Sequence, residues 1–244
     1  MGICQALHKQ GSFMYSDLNQ RLKADVRLEE GLQACMNCGI CTAICPAAEF
    51  YEYDPRSIAI TVQSGNHEKI AALLESDTIW YCGQCMSCKT RCPRNNCPGL
   101  IINVLRKLSQ ETGAFIKSRM GRQQYLIVKS IGANILQFGY CVHPTSLVPA
   151  THPEQGPVWR WVYENMHEVY AAVGANLDGD GPGAMRKISP TDLKELHQIF
   201  KVSGGLKLYQ TIGHFSQLKA IELGLTDENG DADMEKYTQY LLNE

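Results

Sequence analysis

The chain has 244 residues, enough for one or two domains, and its 44% apolar and 20% charged residues are ordinary for a globular protein. A net charge of −2 excludes a general electrostatic attraction to nucleic acid or to an anionic membrane. No stretch of transmembrane length is free of charge, and the start, MGICQALHKQ, lacks the basic-then-apolar plan of a signal peptide, so a cytoplasmic chain without a membrane span is expected.

In chain order, residues 1–34 are polar and helical in pattern, with Leu18, Leu22, Val26, Leu28 and Leu32 as a loose apolar stripe. The run CMNCGICTAICP follows at 35–46. Within the next segment, 46–81, Asp54-Pro55 has the residue types of an N-cap and a first helical position, and Ile58 to Leu74 supports helix with a break near Gly65-Asn66. A second run, CGQCMSCKTRCP, occupies 82–93, and Pro98 then opens a helix that Gly113 ends. YLIVKSIGANILQFGY (125–140), interrupted by Lys129, predicts a buried helix. HPTSLVPATHPEQGP (143–157) predicts a linker or surface loop, WRWVYENMHEVYAAVG a helix, and NLDGDGPGAMRK (176–187) a loop. Ser189-Pro190-Thr191-Asp192 is a helix start, with Leu193, Leu196 and Phe200 on one face and Gly204 as the stop. Helical segments at about 206–223 and 233–242 finish the chain. Few stretches alternate apolar and polar residues over strand lengths, so the fold class is mostly α.

Eight of the eleven cysteines lie in the two runs. A disulfide framework belongs to short secreted chains, so clustered, reduced, metal-binding thiols suit this longer chain better. Each run is C-x₂-C-x₂-C-x₃-C-P, the bacterial-type ferredoxin pattern for a [4Fe–4S] cluster. A cubane needs one thiolate on each of four irons. Three cysteines at two-residue gaps wrap one cluster, and the fourth, after a longer gap and before proline, reaches the neighbouring cluster. The first cluster is thereby assigned to Cys35, Cys38, Cys41 and Cys92, the second to Cys82, Cys85, Cys88 and Cys45, making two [4Fe–4S] clusters. The proline after each crossing cysteine fixes φ and removes an N–H, and Gly39 and Gly83 are expected to allow close backbone approach. Structural zinc is the lesser alternative, since zinc sites show separated C-x₂-C pairs and a triple leaves one thiol over. Crossed ligation requires the two runs to meet, which makes 46–81 a folded-back insert.

The stretches CMNCGICTAICP, DPRSIA and DTIWYCGQCMSCKTRCPRNNCPGLIINVLRKL resemble the helical dicluster ferredoxin domain found in the C subunit of heterodisulfide reductase. Relatives of that domain occur in the iron–sulfur subunits of succinate and anaerobic glycerol-3-phosphate dehydrogenases. The resemblance covers about 20–115. It implies an alpha-helical ferredoxin domain over 1–115 and a helical C-terminal extension over 116–244 that docks partners. It also implies an electron-transfer component lying between two others. One is an A-type protein carrying flavin and iron–sulfur clusters. The other is a B-type protein whose CCG motifs carry the thiol–disulfide chemistry. The longer tail points toward heterodisulfide reductase-like systems of bacteria, including those of sulfur oxidisers. The alternative is an iron–sulfur protein feeding a quinone-linked membrane dehydrogenase. A third reading has the metal serving only to fold a partner-binding surface.

This chain has no Cys-Cys pair and no G-x-G-x-x-G fingerprint, so a complete catalytic site is not expected in it. Lys89, Arg91 and Arg94 either raise the potential of the second cluster or form a solvated basic loop. Cys97 is expected as a packed thiol beside the ligands, with Cys4 and Cys141 unpaired. The histidines show no metal spacing. DENGDAD (227–233) departs from a calcium loop at Ala232 and is an acidic turn. Trp159, Trp161 and Tyr163 are either an interface anchor or core.

Overall fold

A computed structural model of the protein describes residues 17–244. Among these residues there are helices and turns but no β-strand, in keeping with the mostly α expectation. The part of the N-terminal helical expectation that precedes residue 17, and Cys4, lie outside the described residues.

The chain forms two compact units. Of the described residues, the first comprises 17–123 together with 214–244, and the second comprises 124–213. This differs from the expected division at 115/116, because the last thirty-odd residues of the extension belong with the ferredoxin unit.

The first unit is organised around one helix. α1 (Leu18–Lys23), α2 (Val26–Gly31), α3 (Ile40–Ala43), α4 (Ala47–Phe50), α5 (Pro55–Ser64), α6 (His67–Leu74) and α7 (Ser87–Arg91) precede it, and α8 spans Pro98–Thr112. Pro98 begins α8 and Gly113, at φ 74°, ends it, as the sequence predicts. Ile101, Ile102, Val104, Leu105 and Leu108 are buried along it. They recur at helical spacing, and each contributes about 1.5–3 kcal/mol through burial. α1, α2, α5, α6 and α7 all pack against α8. Ser109 Oγ donates to the Leu74 carbonyl at 2.6 Å, tying α6 down. The apolar stripe of the N-terminal region is interrupted at Val26, which is 71% exposed. Asp25, the N-cap of α2, lies between two short helices and shifts the phase of the pattern there. The Arg27 side chain beside Asp25 holds its carboxyl far below the usual range, and Lys107 of α8 adds a second contact at 3.1 Å.

Past α8, α9 (Arg119–Arg122) and the last helix, α16 (Met234–Asn243), belong to this same unit. Asp233 caps α16 by accepting from the N–H groups of Glu235 and Lys236. The acidic turn before it closes on itself, with Asp227 accepting from the N–H groups of Asn229 and Asp231.

In the second unit, α10 (Gln124–Ile127) runs through a π-turn at Val128–Gly132 into α11 (Ala133–Phe138). The expected buried helix over 125–140 is thus corrected. Ile127 and Ile131 face solvent, and only Tyr125 and Asn134 are buried in these helices. Ser130 Oγ donates to the Leu126 carbonyl and competes with the helix ladder at the π-turn. The expected linker at 143–157 is tied rather than free. His143 is buried and stacked on Phe138, and Trp159 Nε1 donates to the Leu147 carbonyl at 2.7 Å. α12 (Trp159–Glu164) and α13 (Met166–Ala172) follow, then a loop gathered around Asn176, which donates to the carbonyls of Asp180 and Pro182. Ser189 caps α14 (Pro190–Val202) through the Asp192 N–H. α14 packs against α11. α15 (Gly205–Glu222) follows and crosses the division between the units at 213/214.

Candidate iron–sulfur site

The two cysteine runs fold alike. In the first, Asn37 and Gly39 have φ of 60° and 82°; in the second, Gln84 and Met86 have 55° and 58°. Each loop therefore takes two left-handed steps, one before and one after its second cysteine, and these turn the backbone around the thiols. Gly39 serves in this way through its φ of 82°. Its counterpart in the second loop is Met86 rather than Gly83, around which nothing lies within 4 Å of a built Cβ. In the second loop the Gln84 N–H points back to Cys82 Sγ at 3.4 Å.

After each loop comes one short helix, α3 or α7, and these two helices pack on each other. The third cysteine of each run, Cys41 or Cys88, lies on that helix; the fourth, Cys45 or Cys92, lies four residues on. At 1.5 Å per residue, four residues carry the fourth thiol about 6 Å along the axis, away from its own loop.

Two cavities result. One, of about 260 Å³, is bordered by Cys82, Cys85, Cys88 and Cys45, with Cys41 on the shared wall. The other, of about 20 Å³, is bordered by Cys35, Cys38, Cys41 and Cys92. None of the described cysteines is in a disulfide. A zinc ion gathers its sulfurs to about 2.3 Å from one point. Among the described residues no three Cys, His, Asp or Glu side chains converge in that way. A set of four thiols on the border of each cavity is the donor chemistry of a four-iron cubane. The larger cavity has room for it as it stands; the smaller is bounded on its outer side by the exposed loop carrying Cys38.

The insert holds the first loop. The Cys35 N–H donates to Gln63 Oε1 of α5 at 2.6 Å, and Gln63 Nε2 returns to the Cys35 carbonyl at 3.3 Å. Asp54 caps α5 through the N–H groups of Arg56 and Ser57 and also accepts from the Thr42 hydroxyl, next to Cys41. Burial works to raise the Asp54 pKa, but the hydrogen bonds from Thr42 and Arg56 outweigh it and hold the carboxyl below its usual range. Arg106 of α8 holds the second loop: it donates to the carbonyls of Ile79, Trp80 and Cys82 at 2.7, 2.9 and 2.7 Å. Its guanidinium lies over the Trp80 ring, and burial lowers its pKa.

The thiols differ in environment. Burial pushes Cys41 up and pushes Cys88 up to about 12, whereas a hydrogen bond from Ser87 draws the exposed Cys85 down. Thiols bind metal as thiolates, so metal binding to the half-buried Cys41 and Cys88 releases protons. Cys97 is fully buried, 3.6 Å from Met86 Sδ, as expected of a packed thiol beside the ligands. Of the three basic residues expected near the second site, Arg94 borders the first cavity, together with Arg56. Lys89 and Arg91 are exposed and border neither cavity. Tyr53, Gln63, Asn96 and Arg106 stand at the site without any motif to mark them. Arg106 lies in LRKL, where its charge suggests a solvated face, and the Asp54-Pro55 signal beside Tyr53 marks a helix start, not a cavity residue.

Residues 30–96 match the family model of the 4Fe-4S dicluster domain. The chain is 33% identical over 159 residues to the C subunit of the ferredoxin:CoB-CoM heterodisulfide reductase of Methanosarcina acetivorans, a match covering 64% of this chain and 60% of that protein. It is 27% identical to the iron-sulfur C2 subunit of the CoB–CoM heterodisulfide reductase of Methanocaldococcus jannaschii, over 57% of this chain and 71% of that one. It is 32% identical to the corresponding iron-sulfur C subunit of Methanopyrus kandleri, over 36% and 44%. The chain thus spans about three-fifths of the first of these relatives. No helix among the described residues is long and apolar enough to cross a membrane. With its doubled thiol loops and helical frame, the chain carries a 4Fe-4S dicluster domain over residues 30–96 and is similar to the C subunits of heterodisulfide reductases.

Proposed function

We propose that the chain relays single electrons through two crossed [4Fe–4S] clusters, between an A-type flavin and iron–sulfur protein on one side and a B-type, CCG-containing thiol–disulfide protein on the other. The first cluster is held by Cys35, Cys38, Cys41 and Cys92, and the second by Cys82, Cys85, Cys88 and Cys45. The observation that carries this reading is the pair of cavities that share the Cys41 wall, each bordered by three thiols of one run and the fourth of the other.

A [4Fe–4S] cluster with four thiolate ligands has no open iron and supplies one-electron transfer. What the chain itself does is hold the clusters. Gln63 and Asp54 fix the first loop, and Arg106 fixes the second. The aromatic side chains of Tyr51, Tyr53 and Tyr81 line one side of the larger cavity. The terminal reaction belongs to the partner, a thiol–disulfide couple, so the chain serves sulfur metabolism.

Protein purified without oxygen should be brown and carry about eight irons per chain. Cys45→Ser should disturb the cluster of Cys82, Cys85 and Cys88 more than the other, as read by electron paramagnetic resonance. Disturbance confined to the cluster of Cys35, Cys38 and Cys41 refutes the crossing. Native pull-down followed by identification of the captured proteins tests the circuit. A membrane anchor in place of A- and B-type proteins would move the chain to the quinone-linked circuit.

A further inference from the structure

Each cavity is bordered by one buried side-chain donor that has no hydrogen-bond partner. At the larger it is Tyr53, 4% exposed, whose hydroxyl oxygen is buried and unpaired. Its ring is held edge-on against Tyr81 at 6.3 Å, and Tyr81 is stacked on Tyr51 at 4.3 Å. At the smaller cavity it is Asn96, 2% exposed. Its Oδ1 accepts from the Gln33 N–H at 2.6 Å, which decides the amide's orientation and leaves Nδ2 buried and unpaired. A buried donor without a partner is costly and calls for an explanation.

We propose that these two groups are the side-chain donors to cluster sulfur, the Tyr53 hydroxyl to the second cluster and the Asn96 amide to the first. The inference rests on the crossed-cluster reading above. The charged neighbours of the Tyr53 hydroxyl are the sulfurs of Cys82 and Cys45 and the guanidinium of Arg106. The phenol keeps its proton and donates it to sulfur as O–H···S, with no proton transfer. A thiol accepts weakly, but a thiolate or a cluster sulfur accepts well. A donor to sulfur stabilises the more negative, reduced form and raises the reduction potential. Two donors on two cavities let the chain set two potentials separately.

The test is potentiometric titration of the iron-loaded protein, followed by electron paramagnetic resonance. Tyr53→Phe removes only the oxygen and keeps the ring on Tyr81. It is expected to make one-electron reduction of one cluster about fivefold less favourable, roughly 40 mV at 59 mV per tenfold, while the other cluster stays put. The shifted signal should be the one that Cys45→Ser disturbs. Asn96→Leu should shift the other signal in the same direction. An exchangeable-deuteron coupling lost at one reduced cluster in Tyr53→Phe and at the other in Asn96→Leu would support both donors, since backbone N–H groups at the sulfurs are unchanged in both variants. A full iron load with neither potential moved by Tyr53→Phe overturns the proposal, as does one potential moved by both variants. Failure to load about eight irons is seen earlier, by metal analysis, and overturns the crossed-cluster reading on which the proposal stands.

Discussion

Met86 holds a left-handed conformation, φ 58°, where the first loop has a glycine. For a residue with a side chain this costs about 1–3 kcal/mol unless the surroundings impose it. Here they do: the side chain runs inward to lie 3.6 Å from Cys97 Sγ, and a Cβ on Gly99 would stand 2.8 Å from Met86 Sδ. The absence of a side chain at Gly99 is what makes room for Met86. Gly99→Ala is therefore expected to destabilise the protein by about 1–3 kcal/mol in denaturant unfolding, through overpacking. Adding Met86→Ala should recover much of that loss, because the two changes act on one contact. At this scale the sequence was legible where chemistry alone decides. The eight thiols and the packed Cys97 follow from spacing and count. The role of Met86 did not, because it depends on a φ angle and on a neighbour thirteen positions away.

At the scale of elements, the insert between the cysteine runs does more than join them. Asp54 caps α5 and also binds Thr42 of α3, so one carboxylate links the insert to the first thiol loop. Asp54→Ala should cost about 1–2 kcal/mol, more than an isolated cap, since the Thr42 bond and the pairing with Arg56 at 2.8 Å go with it. Asp54→Asn keeps the cap geometry and should cost less; chemical denaturation of the two variants side by side checks the order. The cap itself was readable from Asp54-Pro55, as were Gly65, Gly113 and Ser189 as helix boundaries, because these signals are local. The π-turn at Val128–Gly132 was not, since the apolar periodicity of 125–140 carries no mark of one extra residue in a turn.

At the scale of the molecule, the C-terminal segment returns to the ferredoxin unit. In α16, Tyr237 and Leu241 are buried, the Leu241 carbonyl accepts from Gln123 Nε2 at 2.9 Å, and Glu244 pairs with Arg122. The helix is thus part of the same unit as the thiol loops. Leu241→Ala should destabilise this unit by about 2–5 kcal/mol by leaving a cavity. Thermal unfolding followed through the visible absorption of the iron-loaded protein would report the effect, since unfolding of the unit takes the clusters with it. A surface change nearby, such as Asn243→Ala, should leave the transition where it was.

By itself the sequence determined the iron–sulfur character and the helical class, because thiol spacing, helix periodicity and capping residues are properties of a few neighbouring positions. Only the tertiary structure decided which polar groups stand at the cavities. Tyr53, Asn96 and Arg106 come from the insert, the loop before α8 and α8 itself, and burial alone turns an ordinary tyrosine, amide or arginine into a directed donor. It likewise decided that 214–244 belongs with the first unit, since packing between distant segments depends on shape complementarity that no local pattern encodes.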